Sequence, residues 1–186
     1  RHLLMDGLLA AAVARSFDVD WSAIEDALAG FKALPMRGQQ ADVGGVIFVN
    51  DAYNANPLSM RASLEAFEVM SCGTRKWLAL GDMLELGDHA RGEHRALGLL
   101  AGQGHWQGLV AVGEWADVVA GAAIEAGLHP DCVLACPAVE GACRWLAARV
   151  EDGDAVLLKA SRGVQLDGLL EQFARIRERN HGETDG

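Results

Sequence analysis

VIFVNDAYNANPLSMRASLEAFEVM, residues 46–70, changes character twice. Val46 to Asn50 form a short run, apolar up to its last residue, which reads as a buried strand. The polar turn Asn50-Asp51-Ala52-Tyr53-Asn54-Ala55-Asn56 follows. Pro57 then opens a stretch in which Met60, Leu64 and Phe67 recur at helical spacing, with Arg61, Glu65 and Glu68 on the wet face. Strand, polar turn and helix in this order make half of a βαβ unit.

The same rhythm continues to the end of the chain. Further apolar runs lie at Trp77–Leu80, Leu109–Val112, Cys132–Ala135 and Ala155–Leu158, with helical patterns near 57–70, 90–102, 115–126, 138–149 and 165–179. In the last helix Leu166, Leu169, Leu170, Phe173 and Ile176 form the apolar stripe, and the polar tail from Arg177 is expected to fray. Strands alternating with helices predict an α/β fold: a Rossmann-like, mostly parallel sheet with helices on both faces. Ahead of it, residues 3–15 and 21–29 read as two short helices, the second with Ser22 as a cap and Glu25 in the capping-box position. The first is apolar nearly all round and calls for a partner surface. Residues 30–42, with Gly, Pro and polar side chains, read as a linker.

Composition narrows the function. The formal net charge of -10 gives no global basic footprint, so nucleic acid is not an expected partner. No run of about 18 uncharged apolar residues occurs, so no membrane span is expected. Arg1 leads straight into an apolar helical pattern without the layout of a secretory leader. An acidic soluble domain of this kind suits the cytoplasm, and the abrupt start reads as a piece of a longer chain. Cys72, Cys132, Cys136 and Cys143 show no close pairing of the zinc or redox kind, so no metal site is expected of them. They read as small buried thiols in a reducing compartment, Cys132 and Cys136 on a strand and its end, Cys143 on a helix.

In an open parallel sheet, ligands bind beyond the C-terminal ends of the strands. Polar residues concentrate at three of those ends: Asn50 to Asn56, Gly81-Asp82-Met83-Leu84-Glu85-Leu86-Gly87, and Lys159-Ala160-Ser161-Arg162. A carboxylate such as Asp51 suits ribose hydroxyls, and Asn54 and Asn56 offer both donor and acceptor. Arg37 and Arg162 suit phosphate or carboxylate through the planar guanidinium. Taken singly, each residue is equally consistent with loop chemistry or a surface ion pair; together they favour a binding rim. No G-x-x-x-x-G-K-[ST] cradle occurs, and no G-x-G-x-x-G follows a first strand, which argues against an ordinary NAD-binding domain.

The run from Asp51 to Met60 resembles the D-x-Y-N-A-N-P-x-S-M signature of Mur ligases of the MurF type, the UDP-N-acetylmuramoyl-tripeptide:D-alanyl-D-alanine ligases. Gly81 to Gly87, with His94 and Gly98, is similar to the family's G-D-M-x-E-L-G…H…G segment. Lys159 to Arg162 resembles K-G-S-R, with Ala160 in place of Gly and Asp167 where Glu is usual. Pro35-Met36-Arg37 resembles a P-G-R hinge, with Gln39 where an acidic residue is common. His2, Asp6, Ala10 and Ala11 resemble H-N-x-x-N-x-x-A-A at the end of the central domain, with Leu3 and Asp6 replacing its two asparagines. The resemblance implies that residues 1–36 are the last helices of a central ATP-binding domain and hinge, and residues 37–186 the C-terminal Rossmann-like domain. It implies an ATP-dependent peptide ligase, inactive as this piece alone, that adds D-alanyl-D-alanine to UDP-N-acetylmuramoyl-tripeptide in peptidoglycan synthesis. ATP and Mg2+ would be held mainly by the rest of its own polypeptide. Arg37 would be the catalytic residue at the phosphates. Asp51, Asn54 and Asp6 would lie at the nucleotide, and Asn56, Lys159, Ser161 and Arg162 on the substrate side. The alternatives are another Mur-type or folylpolyglutamate-type ligase, or a non-catalytic Rossmann-like module.

Overall fold

The computed structural model describes residues 2–31 and 35–184, with side chains from Met5 to Phe31 and from Pro35 to Arg179. The chain divides into two compact units, residues 1–34 and 35–186. In the first, α1 (His2–Ser16) and α2 (Trp21–Ala29) are joined by a tight turn. Asp18 adopts the left-handed conformation there, and Val19 N–H and Asp18 N–H donate to the carbonyls of Ala14 and Arg15. These are the two bonds that close a Schellman helix end. The cap of α2 is Asp20 rather than Ser22, which lies inside the helix; the helix is entered two residues earlier than the capping pattern suggests. Among the described residues of this unit only Ala11 and Ile24 are buried, while Leu8, Leu9, Phe17 and Trp21 are exposed. The side chains of Leu3 and Leu4 lie outside the described residues.

The second unit is a six-stranded sheet in the order β1-β2-β6-β3-β4-β5. Its strands are β1 (Gln39–Val43), β2 (Val46–Asn50), β3 (Lys76–Gly81), β4 (Gly108–Val112), β5 (Val133–Cys136) and β6 (Ala155–Lys159). Strands β2 to β6 run parallel, and β1 alone is antiparallel, paired with β2. The supposed linker therefore contains a strand. Val43 pairs with Val46 across Gly44 and Gly45, whose φ angles of 58° and 80° make a two-residue hairpin. Positive φ at both central residues matches the twist of the flanking strands and favours glycine. The fifth strand begins at Val133, since Cys132 ends a short 3-10 turn over Pro130–Cys132.

The connecting helices are α3 (Pro57–Val69), α4 (Ala90–Gly102), α5 (Ala116–Glu125), α6 (Val139–Ala147) and α7 (Gly168–Thr184). Alternate residues of each strand feed two separate cores. Leu78, Leu80, Leu109 and Leu157 pack with α3, α4 and α5; Trp77, Ala79, Val110, Val156 and Leu158 pack with α6 and α7. Strands covered on both faces read as continuous apolar runs, which is why β3, β4 and β6 lack polar alternation. Helices α4 and α5 approach so closely that a Cβ on Gly98 would lie 2.3 Å from the Val119 carbonyl oxygen, and one on Gly102 2.4 Å from that of Ala123. Helix α7 continues through Arg177, whose guanidinium donates to the Val150 carbonyl over the ring of Phe173. Of the four thiols only Cys143 is fully buried; all four are free. Among the described residues, no helix is long and apolar enough to cross a membrane.

Candidate active site at the strand ends

The chain runs along the sheet from β2 through β3 and β4 to β5, then returns to place β6 between β2 and β3. The two directions part between β6 and β3, and a crevice forms where neighbouring connections leave on opposite faces. The turns that end β2, β3 and β6 meet at this rim.

The turn after β2 is held from within. Asn50 Oδ1 accepts from Ala52 N–H at 3.2 Å, and Asn54 Oδ1 from Ala55 N–H at 2.8 Å. Asn56 caps α3: its Oδ1 accepts from Ser59 N–H at 2.8 Å, and Ser59 Oγ accepts from Asn56 N–H at 3.0 Å. Pro57 follows at the first helical position, where its missing donor costs nothing. One carboxylate oxygen of Asp51 accepts from Ser63 Oγ at 2.5 Å.

Lys159, only 3% exposed, joins this turn to β6. Its Nζ donates to the carbonyls of Asp51 (3.1 Å) and Asn54 (2.6 Å) and pairs with the Asp51 carboxylate at 3.1 Å. Three acceptors satisfy all three ammonium donors, which makes so deep a burial of the charge tolerable. The neighbouring Ser161 hydroxyl accepts from Leu84 N–H at 2.9 Å, which ties the β6 turn to the β3 turn. Arg162 is mostly exposed, against Met36 Sδ and 3.8 Å from Asp167. Arg37 is exposed, with its guanidinium carbon 4.5 Å above the ring centre of Tyr53. The structure thus brings Arg37, Asp51, Asn54, Asn56, Lys159, Ser161 and Arg162 to one rim. Asp6 is exposed on α1, in the other unit.

Residue-type reasoning gave no individual role to Asp82 or His94, which organise the β3 turn. Asp82 accepts from Glu114 N–H (2.7 Å) and Trp115 N–H (3.1 Å), so its carboxylate caps the entry to α5. It fills the space beside Gly113, where a Cβ would lie 2.2 Å from the carboxylate. His94 is fully buried; its Nε2 accepts from Met83 N–H at 2.9 Å and its Nδ1 faces the Ala90 carbonyl at 2.7 Å. The first contact requires an unprotonated Nε2 and the second an Nδ1–H, so the ring is a neutral brace between the turn and α4. The available signal was an Asp-Met pair after a strand with a His one helix further on, but pairing them takes the tertiary fold.

On the α6 and α7 side of the rim lies a crevice of about 650 Å3, bordered by Leu84, Gly113, Ala138, Glu140, Arg162 and Gln172. Its walls combine apolar backbone turns with one guanidinium and carboxylates, which suits a small zwitterion better than a flat aromatic ring.

This arrangement has a counterpart. The family model for the Mur ligase glutamate ligase domain matches residues 36–162. The chain belongs to the Mur ligase family. It is 35% identical over 188 residues to the UDP-N-acetylmuramoyl-tripeptide–D-alanyl-D-alanine ligase of Mycobacterium leprae, a match covering 91% of this chain and 36% of that protein. Among solved structures, MurF from Acinetobacter baumannii matches with a TM-score of 0.80 at 29% identity, over 94% of this chain and 38% of that one. MurF ligase from Thermotoga maritima, solved in complex with ADP, matches with a TM-score of 0.72 at 30% identity, over 91% of this chain and 37% of that one. This Mur ligase chain thus spans little more than a third of the length of these relatives. The resemblance read from the Tyr53 and Asp82 motifs holds, and so does the fold it implied.

Proposed function

We propose that this chain is the C-terminal part of an ATP-dependent ligase that joins D-alanyl-D-alanine to UDP-N-acetylmuramoyl-tripeptide in the cytoplasm, for peptidoglycan synthesis. The observation that carries the reading is the Asp51–Asn56 turn fastened by Lys159 beside Ser161 and Arg162, at the switch of a sheet that superimposes on MurF structures. The division of the chain after residue 34 supports the assignment of residues 1–36 to the last helices and hinge of a central domain, and of residues 37–186 to the C-terminal domain. The exposed apolar side chains of α1 and α2 would then face the rest of that domain.

ATP supplies the phosphoryl group that activates the peptide carboxylate. In this chain the Asp51 carboxylate, partly exposed, would take the ribose, with Asn54 beside it. Arg37 would bring positive charge to the phosphates when the domains close, where it stabilises the reacting state more than the open complex. Arg162 would hold the dipeptide at the crevice with its amine toward the activated carboxylate, while the buried Ser161, with Lys159 and Asn56, would shape the turns around it. Among the described residues, no group of three or more His, Cys, Asp or Glu side chains is placed to hold a metal ion. The Mg2+ that the reading requires would be held mainly by the rest of the polypeptide.

The test is phosphate release by the complete ligase. It should depend on both the UDP-sugar tripeptide and D-alanyl-D-alanine; release supported by another amino acid and not by the dipeptide would overturn the reading. Arg37→Ala should lower turnover by roughly ten- to thousand-fold, the range for lost charge-stabilising groups. Its effect on binding of the UDP-sugar peptide should be far smaller.

A further inference from the structure

Arg37 needs a way to be held without being neutralised. Among the described residues no carboxylate pairs with it; the partner of its guanidinium is the face of Tyr53, 4.5 Å from the guanidinium carbon. The two are also joined through the backbone, since Tyr53 N–H donates to the Met36 carbonyl at 3.2 Å. Tyr53 sits between Asp51 and Asn54, whose carbonyls Lys159 grips, so the ring is presented from a fixed turn. The segment that carries Arg37 is shaped too. Met36 has a φ of 62° and Gly38 one of 70°, and Met36 N–H donates to Gln39 Oε1 at 3.3 Å. A left-handed residue on each side of Arg37 aims its side chain back over the ring.

The geometry points to Tyr53 as a positioning residue for Arg37. The guanidinium is planar and its five N–H donors point outward in that plane. Stacking on an aromatic ring uses the face and leaves the whole donor edge free for an incoming anion, whereas a carboxylate partner would occupy that edge. Tyr53, 47% exposed, is open enough to hold the cation at the surface, and the motif's other side chains are spent within the turn. This inference rests on the reading of Arg37 as the residue that meets the phosphates.

The first measurement is the shift of the Arg37 side-chain protons in the 186-residue chain, because a ring beneath them moves their resonances upfield. Tyr53→Phe should keep the displacement and Tyr53→Leu should abolish it. In the complete ligase, Tyr53→Leu should lower kcat by about two- to fivefold, the ratio that corresponds to an exposed cation–π contact, with KM for the UDP-sugar peptide unchanged. Tyr53→Phe should restore most of the loss. Unchanged Arg37 shifts in Tyr53→Leu would overturn the stacking. An unchanged kcat in that variant, beside a large loss in Arg37→Ala, would overturn the positioning role. An unchanged kcat in Arg37→Ala would remove the phosphate reading itself, and the positioning role with it, while the shifts still report the stack.

Discussion

Lys159 and Lys76 grip α3 at opposite ends. Lys159 Nζ donates to the carbonyls of Asp51 and Asn54 in the turn that leads into the helix. Lys76 Nζ donates to the carbonyls of Phe67, Glu68 and Met70 where the helix ends, at 2.8, 2.7 and 2.8 Å. The second arrangement places a cation at the negative end of the helix and satisfies carbonyls that lack an intrahelical partner. The first has no such helical reason, and it fixes the turn on which the candidate site is built.

Lys159→Met should therefore act on both stability and the site. It removes the charge and all three bonds but keeps much of the buried length. The loss should be about 1.5–3 kcal/mol, the range for hydrogen bonds to charged groups. Urea unfolding measures it; a variant as stable as the parent would show that the turn holds itself. Lys76→Met should cost less, because water reaches part of that site.

Two glycine substitutions should have opposite signs. Gly98→Ala places a methyl 2.3 Å from the Val119 carbonyl oxygen and must push α4 from α5, at a cost of about 1–3 kcal/mol. Gly121→Ala lies within α5 with nothing within 4 Å of the new carbon, so it should gain about 0.5–1 kcal/mol from helix propensity alone. Melting curves of the two single variants decide the matter, and a Gly98→Ala variant as stable as the parent would refute the close crossing.

Asp154 should give stability a specific acid dependence. Burial by itself would raise its pKa, but hydrogen bonds from Arg75, Glu151 N–H and the Trp77 indole outweigh that and hold it below the ordinary carboxylate value. Its folded pKa is lowered, so its contribution is complete above the unfolded value and is lost as pH falls through the folded one. Asp154→Asn should cost about 1.5–3 kcal/mol near neutrality. That difference from the parent should shrink steadily as the pH is lowered into the acid range. A difference independent of pH would mean the cost is one of packing.

Cys143 should be silent to thiol reagents in the folded protein. It is fully buried, and burial, with Glu140 adding to it, pushes its thiol up to about 11. Only the thiolate reacts, and at neutral pH the folded chain holds almost none at this site. Mass spectrometry after maleimide treatment should find Cys143 unlabelled until denaturant is added, while partly exposed Cys132 labels under native conditions. Labelling of Cys143 at a rate near that of Cys132 would show that α6 opens readily.

The sequence by itself determined the layered α/β body. Apolar runs such as Leu109–Val112 and the helical spacing of Met60, Leu64 and Phe67 are local patterns, and local pattern sets the type of an element. The turn motifs after β2, β3 and β6 were legible for the same reason, since each is contiguous in the chain. The β1–β2 hairpin was legible in principle from Gly44-Gly45, but the surrounding glycines and polar residues resemble a linker. Only the tertiary structure decided which residues share a partner. It brought Lys159 to a turn 108 positions earlier, set Asp82 over the amides of Glu114 and Trp115, and laid Arg37 on Tyr53. Residue type records that a lysine or an aspartate can form such bonds. Which acceptor lies within reach follows from the insertion of β6 between β2 and β3, and that order is set by how the whole chain buries its two cores.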